Sequence, residues 1–102
     1  MTGPMARIYG VLADHLAARA AAGEGRVTMP LATIEGEILA RRLPPTARHP
    51  RRHRQWWVGH GRGFPHAWYG WQCAGWTVEA VDIEAETVTF MRTGVGNNKP
   101  AR

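Results

Sequence analysis

The chain has 102 residues, the size of one domain, and its 44% apolar and 21% charged residues are typical of a globular protein. No apolar run approaches the roughly 20 residues that span a bilayer, so we expect no membrane partner. The single cysteine, Cys73, cannot form an internal disulfide, and the first residues contain no signal-peptide core, so we expect a cytoplasmic protein.

The N-terminal part of the sequence predicts two helices joined by a short strand. Apolar residues recur every four positions from Ile8 onward among helix-favouring alanines, which predicts an amphipathic helix over residues 4–22. Residues 26–29 are expected to be extended. Pro30 then opens a second predicted helix over residues 31–42, because proline is favoured at helix starts.

The middle of the chain is rich in proline, arginine and tryptophan. Two prolines end the second helix, and residues 46–55 are predicted to form a basic loop. Residues 56–58, Trp-Trp-Val, are expected to form a short strand. A flexible turn over residues 59–63 then leads into a third predicted helix over residues 65–74, with Trp68 and Trp71 on one face.

The C-terminal part predicts a β-hairpin. Residues 76–83 alternate apolar and polar positions and then change parity, which indicates a bulge near Ala80-Val81. A second strand over residues 87–92 places two apolar side chains on one face. Residues 93–102 are polar and glycine-rich, so we expect a flexible tail.

These elements predict a single α+β domain over residues 1–92. In it, three helices pack on a small antiparallel sheet that ends in the hairpin. The order of elements is winged-helix-like, apart from one difference. About 22 residues separate the second and third predicted helices, where a helix-turn-helix has a turn of three or four residues.

The charges are distributed unevenly along the chain, whose net charge is +5. Residues 38–78 contain no carboxylate, yet they hold seven arginines, four histidines and all five tryptophans. A solvated surface normally mixes both signs, because like charges repel. Either the acidic residues of the C-terminal hairpin or an external polyanion must therefore neutralise this segment. Arginine forks bind phosphate in a bidentate manner, which favours a polyanion.

The tryptophan pair bears on the same question. Adjacent residues on a strand point to opposite faces, so one ring of Trp56-Trp57 would face outward beside the arginines. An exposed indole next to guanidinium groups is suited to stacking on nucleic-acid bases. The alternative is that both rings belong to the core, where a small domain needs their bulk.

The sequence gives little support for metal binding or catalysis. His49 and His53 are spaced like zinc ligands, but Pro50 breaks any helix that would align them, and no Cys-x-x-Cys pair accompanies them. The cationic stretch lacks the carboxylates that a hydrolase or nuclease uses as bases or metal ligands. We therefore expect a non-catalytic protein without metal or cofactor.

Together these features predict a module that binds nucleic acid, either DNA or RNA, through a basic face. The alternative is a protein-interaction module, such as a phage or bacterial inhibitor or adaptor that docks on an acidic partner surface, because tryptophan and arginine also dominate protein interfaces. A homodimer formed through the hairpin edge is a third interpretation. The residues predicted to contact nucleic acid are Arg48, Arg51, Arg52, Arg54, Trp57, His60, Arg62 and His66.

Several short motifs of this chain resemble a family of small, uncharacterised bacterial and phage domains. They are a leucine-rich first helix, Val-Thr-Met, Ile-Glu-x-x-Ile-Leu, Leu-Pro-x-Thr-Ala-Arg, the Trp-Trp pair, Ala-Gly-Trp-x-Val and Val-x-Phe-x-Arg, within residues 8–92. The resemblance implies one compact domain. It implies no activity, and where that family is expected to have an asparagine, this chain has residues 58–60, Val-Gly-His.

Overall fold

The computed structural model of the chain describes residues 4–60 and 63–93. In chain order the helices and strands are α1 (Pro4–Ala21), β1 (Arg26–Pro30), α2 (Leu31–Thr33) continued by a π-helix (Ile34–Ile38), a 3-10 turn (Pro45–Arg48), α3 (His53–Val58), α4 (Pro65–Gly70), a second 3-10 turn (Gln72–Ala74), β2 (Trp76–Asp82) and β3 (Thr87–Arg92). None of the helices within these described residues is long and apolar enough to span a bilayer.

The three strands form one antiparallel sheet in the order β1-β3-β2, which confirms the predicted α+β class and the C-terminal hairpin. The face of the sheet that packs against the helices carries Val27, Met29, Val78, Val88 and Phe90, all of which are buried. These side chains alternate with more exposed ones along each strand, because successive strand residues point to opposite faces.

Strand β2 contains one extra residue, which confirms a bulge close to the predicted position. Val78 pairs with Phe90 and Ala80 pairs with Thr89, so Glu79 has no partner of its own in β3. The Glu79 carboxylate instead accepts hydrogen bonds from the Arg26 guanidinium of β1, at 2.7 and 2.8 Å. The bulge thus brings an acid of the hairpin to a base on the opposite edge strand.

Helix α1 packs against α4, and α3 packs against strand β2 of the sheet. Leu12 and Leu16 of α1 are fully buried, as the four-residue spacing predicts. The two helices are in close contact at Gly70 of α4, where an added Cβ would lie at an ordinary van der Waals distance, 3.5 Å, from the Cβ of Tyr9. The first predicted helix is therefore confirmed.

The second predicted helix is much shorter than expected, because the chain leaves the α-helical conformation after its first turn. After Thr33 the helix widens into the π-helix, and Ala40 then adopts the left-handed conformation, with φ at 56°. The amide of Leu43 donates to the Glu35 carboxylate at 2.8 Å instead of to a helical carbonyl. A side-chain acceptor has therefore replaced the backbone acceptor that a longer helix would supply.

The prediction of a strand at Trp56-Trp57 is wrong, because these residues lie in α3. The carbonyl of His49 accepts bonds from the amides of Arg52 and His53, at 3.3 and 2.9 Å, and this turn starts the helix. Consecutive helix residues are about 100° apart, so two neighbouring indoles can both turn toward the core. On a strand they would have pointed to opposite faces.

The third predicted helix ends earlier than expected. It breaks at Trp71 and is followed by the second 3-10 turn, after which Gly75 supplies the left-handed cap, with φ at 86°. Trp68 and Trp71 do not share a face, since Trp68 is 52% exposed and Trp71 is fully buried. Helix α3, which lies in the chain between α2 and α4, has no counterpart among the three predicted helices. The winged-helix-like arrangement stays a prediction.

Candidate functional site

Trp57 lies at the centre of the aromatic core, so the prediction that its ring faces outward is wrong. The side chain is 0% exposed, and its Nε1–H donates to the carbonyl oxygen of Ala47 at 3.0 Å. Its ring stacks on Trp71, with centroids 5.3 Å apart, and meets Trp56 edge-on at 4.8 Å. A side chain enclosed in this way cannot stack on a base.

His66 is likewise buried, and the prediction that it reaches a nucleic-acid groove is wrong. Its Nε2–H donates to the carbonyl of Trp56 at 2.8 Å, and its ring stacks on the Trp56 indole with centroids 4.1 Å apart. Burial lowers the pKa of His66, and the bond to the Trp56 carbonyl opposes this effect only in part. The imidazole is therefore neutral at pH 7 and belongs to the core.

Arg48 is tied to carboxylates of two other parts of the chain. Its Nη1 and Nη2 form a bidentate pair with Glu35 at 2.7 and 2.9 Å, and its Nε lies 3.1 Å from a carboxylate oxygen of Glu86. The bond from Arg48 lowers the pKa of Glu35, helped by the Leu43 amide, although desolvation raises it. The sequence left open whether acids of the hairpin neutralise the basic segment. For Arg48, the hairpin residue Glu86 does so in part.

Arg51, Arg52 and Arg54 are all exposed. Within the described residues, no carboxylate oxygen lies within 4.0 Å of any of the three guanidinium groups. The backbone that carries them is hydrogen-bonded: the carbonyl of His49 accepts the bonds that start α3, and the amide of Arg51 donates to His49 Nδ1 at 3.0 Å. We name residues 49–54 the arginine segment.

The predicted site residues thus fall into distinct groups. His60 is exposed, as expected of a contact residue, and Arg62 lies outside the described residues. The structure brings Arg51, Arg52 and Arg54 together on the arginine segment, and it places Trp57 and His66 in the core beneath α3.

The sequence that forms this core matches a known protein family. A family model described as "Domain of unknown function (DUF7662)" matches residues 9–94, from the buried Tyr9 of α1 to just beyond β3. The chain belongs to this family. Neither the curated proteins nor the solved structures provide a match. The DUF7662 match spans both the aromatic core and the arginine segment.

Three exposed side chains of this DUF7662 domain were not among the predicted contacts. Arg41 and Arg42 follow the π-helix and are exposed, whereas the sequence analysis placed them inside a helix. Two adjacent arginines directly before Leu-Pro-Pro were the available signal. Trp68 of α4 was the third, and it is the one tryptophan of the described chain that is mostly exposed to solvent.

The candidate groups for metal or thiol chemistry are dispersed. Within residues 4–60 and 63–93, no three histidine, cysteine or acidic side chains come together in a manner that could hold a metal ion. The imidazole of His53 donates through Nδ1 to the carbonyl of His49 at 2.7 Å, which closes the turn. Desolvation raises the pKa of the Cys73 thiol, so the thiol is poorly activated for nucleophilic chemistry.

Proposed function

We propose that this DUF7662 domain binds nucleic acid through the exposed guanidinium groups of the arginine segment. One observation carries the proposal: Arg51, Arg52 and Arg54 lie in no ion pair with a carboxylate of the described chain. All eight carboxylate side chains of the sequence fall within the described residues, so an internal partner could have been present. Four of them, Glu24, Glu35, Glu79 and Glu86, pair with other arginines.

The chemistry of such a surface favours phosphate contacts. A guanidinium offers a planar fork that matches two phosphate oxygens, and its charge displaces the counterions condensed on the nucleic acid. Hydrogen bonds of the turn at His49 hold the backbone of the arginine segment, which lowers the ordering cost of binding. Because the indole of Trp57 is buried, the interaction rests on the sugar-phosphate backbone and not on base stacking by that ring.

A salt titration tests this proposal. Each lost phosphate contact reduces the slope of log K against log salt by about 0.9 on duplex DNA, so Arg51→Gln combined with Arg54→Gln should reduce the slope by about 2. Binding is measured by fluorescence anisotropy of labelled single-stranded and duplex DNA and RNA. The matched control, Arg7→Gln with Arg92→Gln, removes two charges elsewhere and should leave the slope nearly unchanged. An unchanged slope in the first variant, or no binding at low salt, overturns the proposal.

Trp68 favours a second candidate function, a protein-interaction module. Its indole is 52% exposed on α4, and exposed tryptophans are enriched at the energetic centres of protein interfaces. A partner retained from nuclease-treated lysate by the wild-type chain, and lost with Trp68→Ala, would support this function. Retention by the Trp68→Ala variant would argue against Trp68 as the contact. Self-association through the hairpin edge also stays a prediction.

A further inference from the structure

Two shallow depressions lie side by side next to the π-helix. One has a volume of about 550 Å³ and the other of about 560 Å³, and both are bordered by Arg42. The first is lined by Ala32, Glu35, Gly36, Ala40, Arg41 and Arg42. The second is lined by Arg42, Leu43, Pro45 and Arg48. We name the first depression the π-helix depression.

The ionic groups around these depressions are not equally available. Both oxygens of Glu35 are engaged, one by Arg48 and the other by Arg48 and the amide of Leu43. Arg48 is held between Glu35 and Glu86. Arg41 and Arg42, by contrast, have no carboxylate within 4.0 Å in the described part of the chain. The π-helix depression therefore offers two free guanidinium groups and no free carboxylate.

The backbone on both sides of the arginine pair is fixed. Before the pair, the amide of Arg41 donates to the carbonyl of Glu35 at 2.9 Å, and this bond closes the left-handed turn at Ala40. After the pair, the amide of Leu43 is bound by the Glu35 carboxylate. A non-glycine residue in this conformation costs about 1 kcal/mol, and the two hydrogen bonds help to hold it.

The positive charges of both arginines affect nearby ionisable groups. Desolvation raises the pKa of Tyr9 on α1, and the charge of Arg41 opposes that rise. The bond from Arg48 is the main cause that lowers the pKa of Glu35, and the charge of Arg42 is the smallest.

We propose that the π-helix depression binds a phosphate group through Arg41 and Arg42. Phosphate presents several acceptor oxygens to two adjacent forks, and the engaged state of Glu35 leaves little like-charge repulsion against it. Such a group could come from a nucleic-acid backbone, in which case the inference rests on the proposed function. It could also belong to a free phosphorylated ligand. The chemistry is the same for both sources, and the experiment separates them.

The test follows the amide and arginine Nε–Hε signals of the ¹⁵N-labelled chain during two titrations. One titration uses pyrophosphate, and the other uses a short DNA duplex. We expect pyrophosphate to shift the signals of residues 40–43 in the wild-type chain. The same shifts should appear in the double variant Arg51→Gln with Arg54→Gln. They should be absent from the double variant Arg41→Gln with Arg42→Gln. If the phosphate comes from nucleic acid, the slope of log K against log salt for duplex binding should also be smaller by about 2 in this last variant.

The possible results separate this inference from the proposed function. Pyrophosphate shifts at residues 40–43 without any DNA binding support the phosphate site with a small ligand, while the proposed function fails. Duplex binding through the arginine segment, with no shift at residues 40–43 in either titration, overturns the phosphate site alone. Equal shifts at Arg92 also overturn it, because they show unspecific ion binding: Arg92 lies at the opposite end of β3 from Thr87, which pairs with Pro30 next to α2. Circular dichroism confirms that each variant is folded.

Discussion

Replacing Trp57 with phenylalanine separates a core role of this ring from a surface role. The indole is fully buried, and it contacts three aromatic rings, Trp56, Trp71 and Phe90. Phenylalanine keeps a ring that can stack on Trp71, but it loses the Nε1–H group and part of the volume. The variant therefore removes a defined bond without emptying the site.

The expected loss of stability has two parts. The carbonyl of Ala47, a residue with no exposed surface, loses the donor that lies at 3.0 Å, and a buried acceptor left without a partner costs about 1–3 kcal/mol. The smaller ring leaves a cavity that costs about 1 kcal/mol more. The sum of about 2–4 kcal/mol is a large share of the roughly 5–15 kcal/mol by which domains of this kind are stable.

Urea unfolding followed by far-ultraviolet circular dichroism measures this effect without depending on tryptophan fluorescence. The matched control is Trp68→Phe, since Trp68 is 52% exposed and its replacement should change stability by less than about 0.5 kcal/mol. The thermal midpoint of Trp57→Phe should fall by roughly 10–20 °C. Equal stability of Trp57→Phe and the wild type, or a greater loss from Trp68→Phe, would refute the placement of Trp57 in the core.

Three further variants test other parts of the structure. Ala40→Gly should stabilise the chain by about 0.5–1 kcal/mol in urea unfolding, because glycine adopts the left-handed conformation without a Cβ clash. The pKa of Glu35 lies below its ordinary value of 4.5, so its pairing stabilises the folded chain above that pH and is lost as the pH falls through the lower folded-state pKa. Glu35→Gln should therefore lose less unfolding free energy than the wild type between pH 7 and pH 3. Gly59→Ala should cost about 1–3 kcal/mol in thermal unfolding, because the new Cβ would lie 2.5 Å from the ring of Phe64.

Each of these variants has a control on the same chain. Gly75→Ala places a Cβ at a φ of 86° and should destabilise, so a gain in stability there would contradict the reasoning for Ala40. Glu37 is exposed and lies in none of the ion pairs of the described chain, so Glu37→Gln should keep the wild-type loss at low pH. A methyl group added at Gly10 on α1 would meet nothing within 4 Å beyond its own helix, so Gly10→Ala should stabilise that helix by about 0.5–1 kcal/mol.

The elements that local pattern determines were predictable from the sequence. The leucine spacing of α1 and the alternation of the hairpin each reflect one buried face, so the correct periods were visible. Trp56-Trp57 carried no period, because two aromatic residues fit a strand or a short helix equally well. The hydrogen bonds at His49 decide between them, and they depend on the preceding turn. Alanine gave no signal for the left-handed turn at position 40.

The candidate site was predictable only where charge alone decides. Arg51, Arg52 and Arg54 lie in a stretch without carboxylates, and they are exposed and without carboxylate partners in the described chain. Arg48 belongs to the same stretch, but its partner Glu86 lies 38 residues further along the chain. Counting charges along a sequence cannot detect a pair that the fold creates across that distance.

The double attachment of Arg48 has a mechanical consequence for the residues that follow it. Glu35 binds the two Nη atoms and Glu86 the Nε atom of one guanidinium, so the point from which the arginine segment departs is set jointly by the π-helix and by the tip of the hairpin. A longer or shorter hairpin tip would shift this anchor. The orientation of residues 49–54 thus depends on a tight turn more than thirty positions downstream.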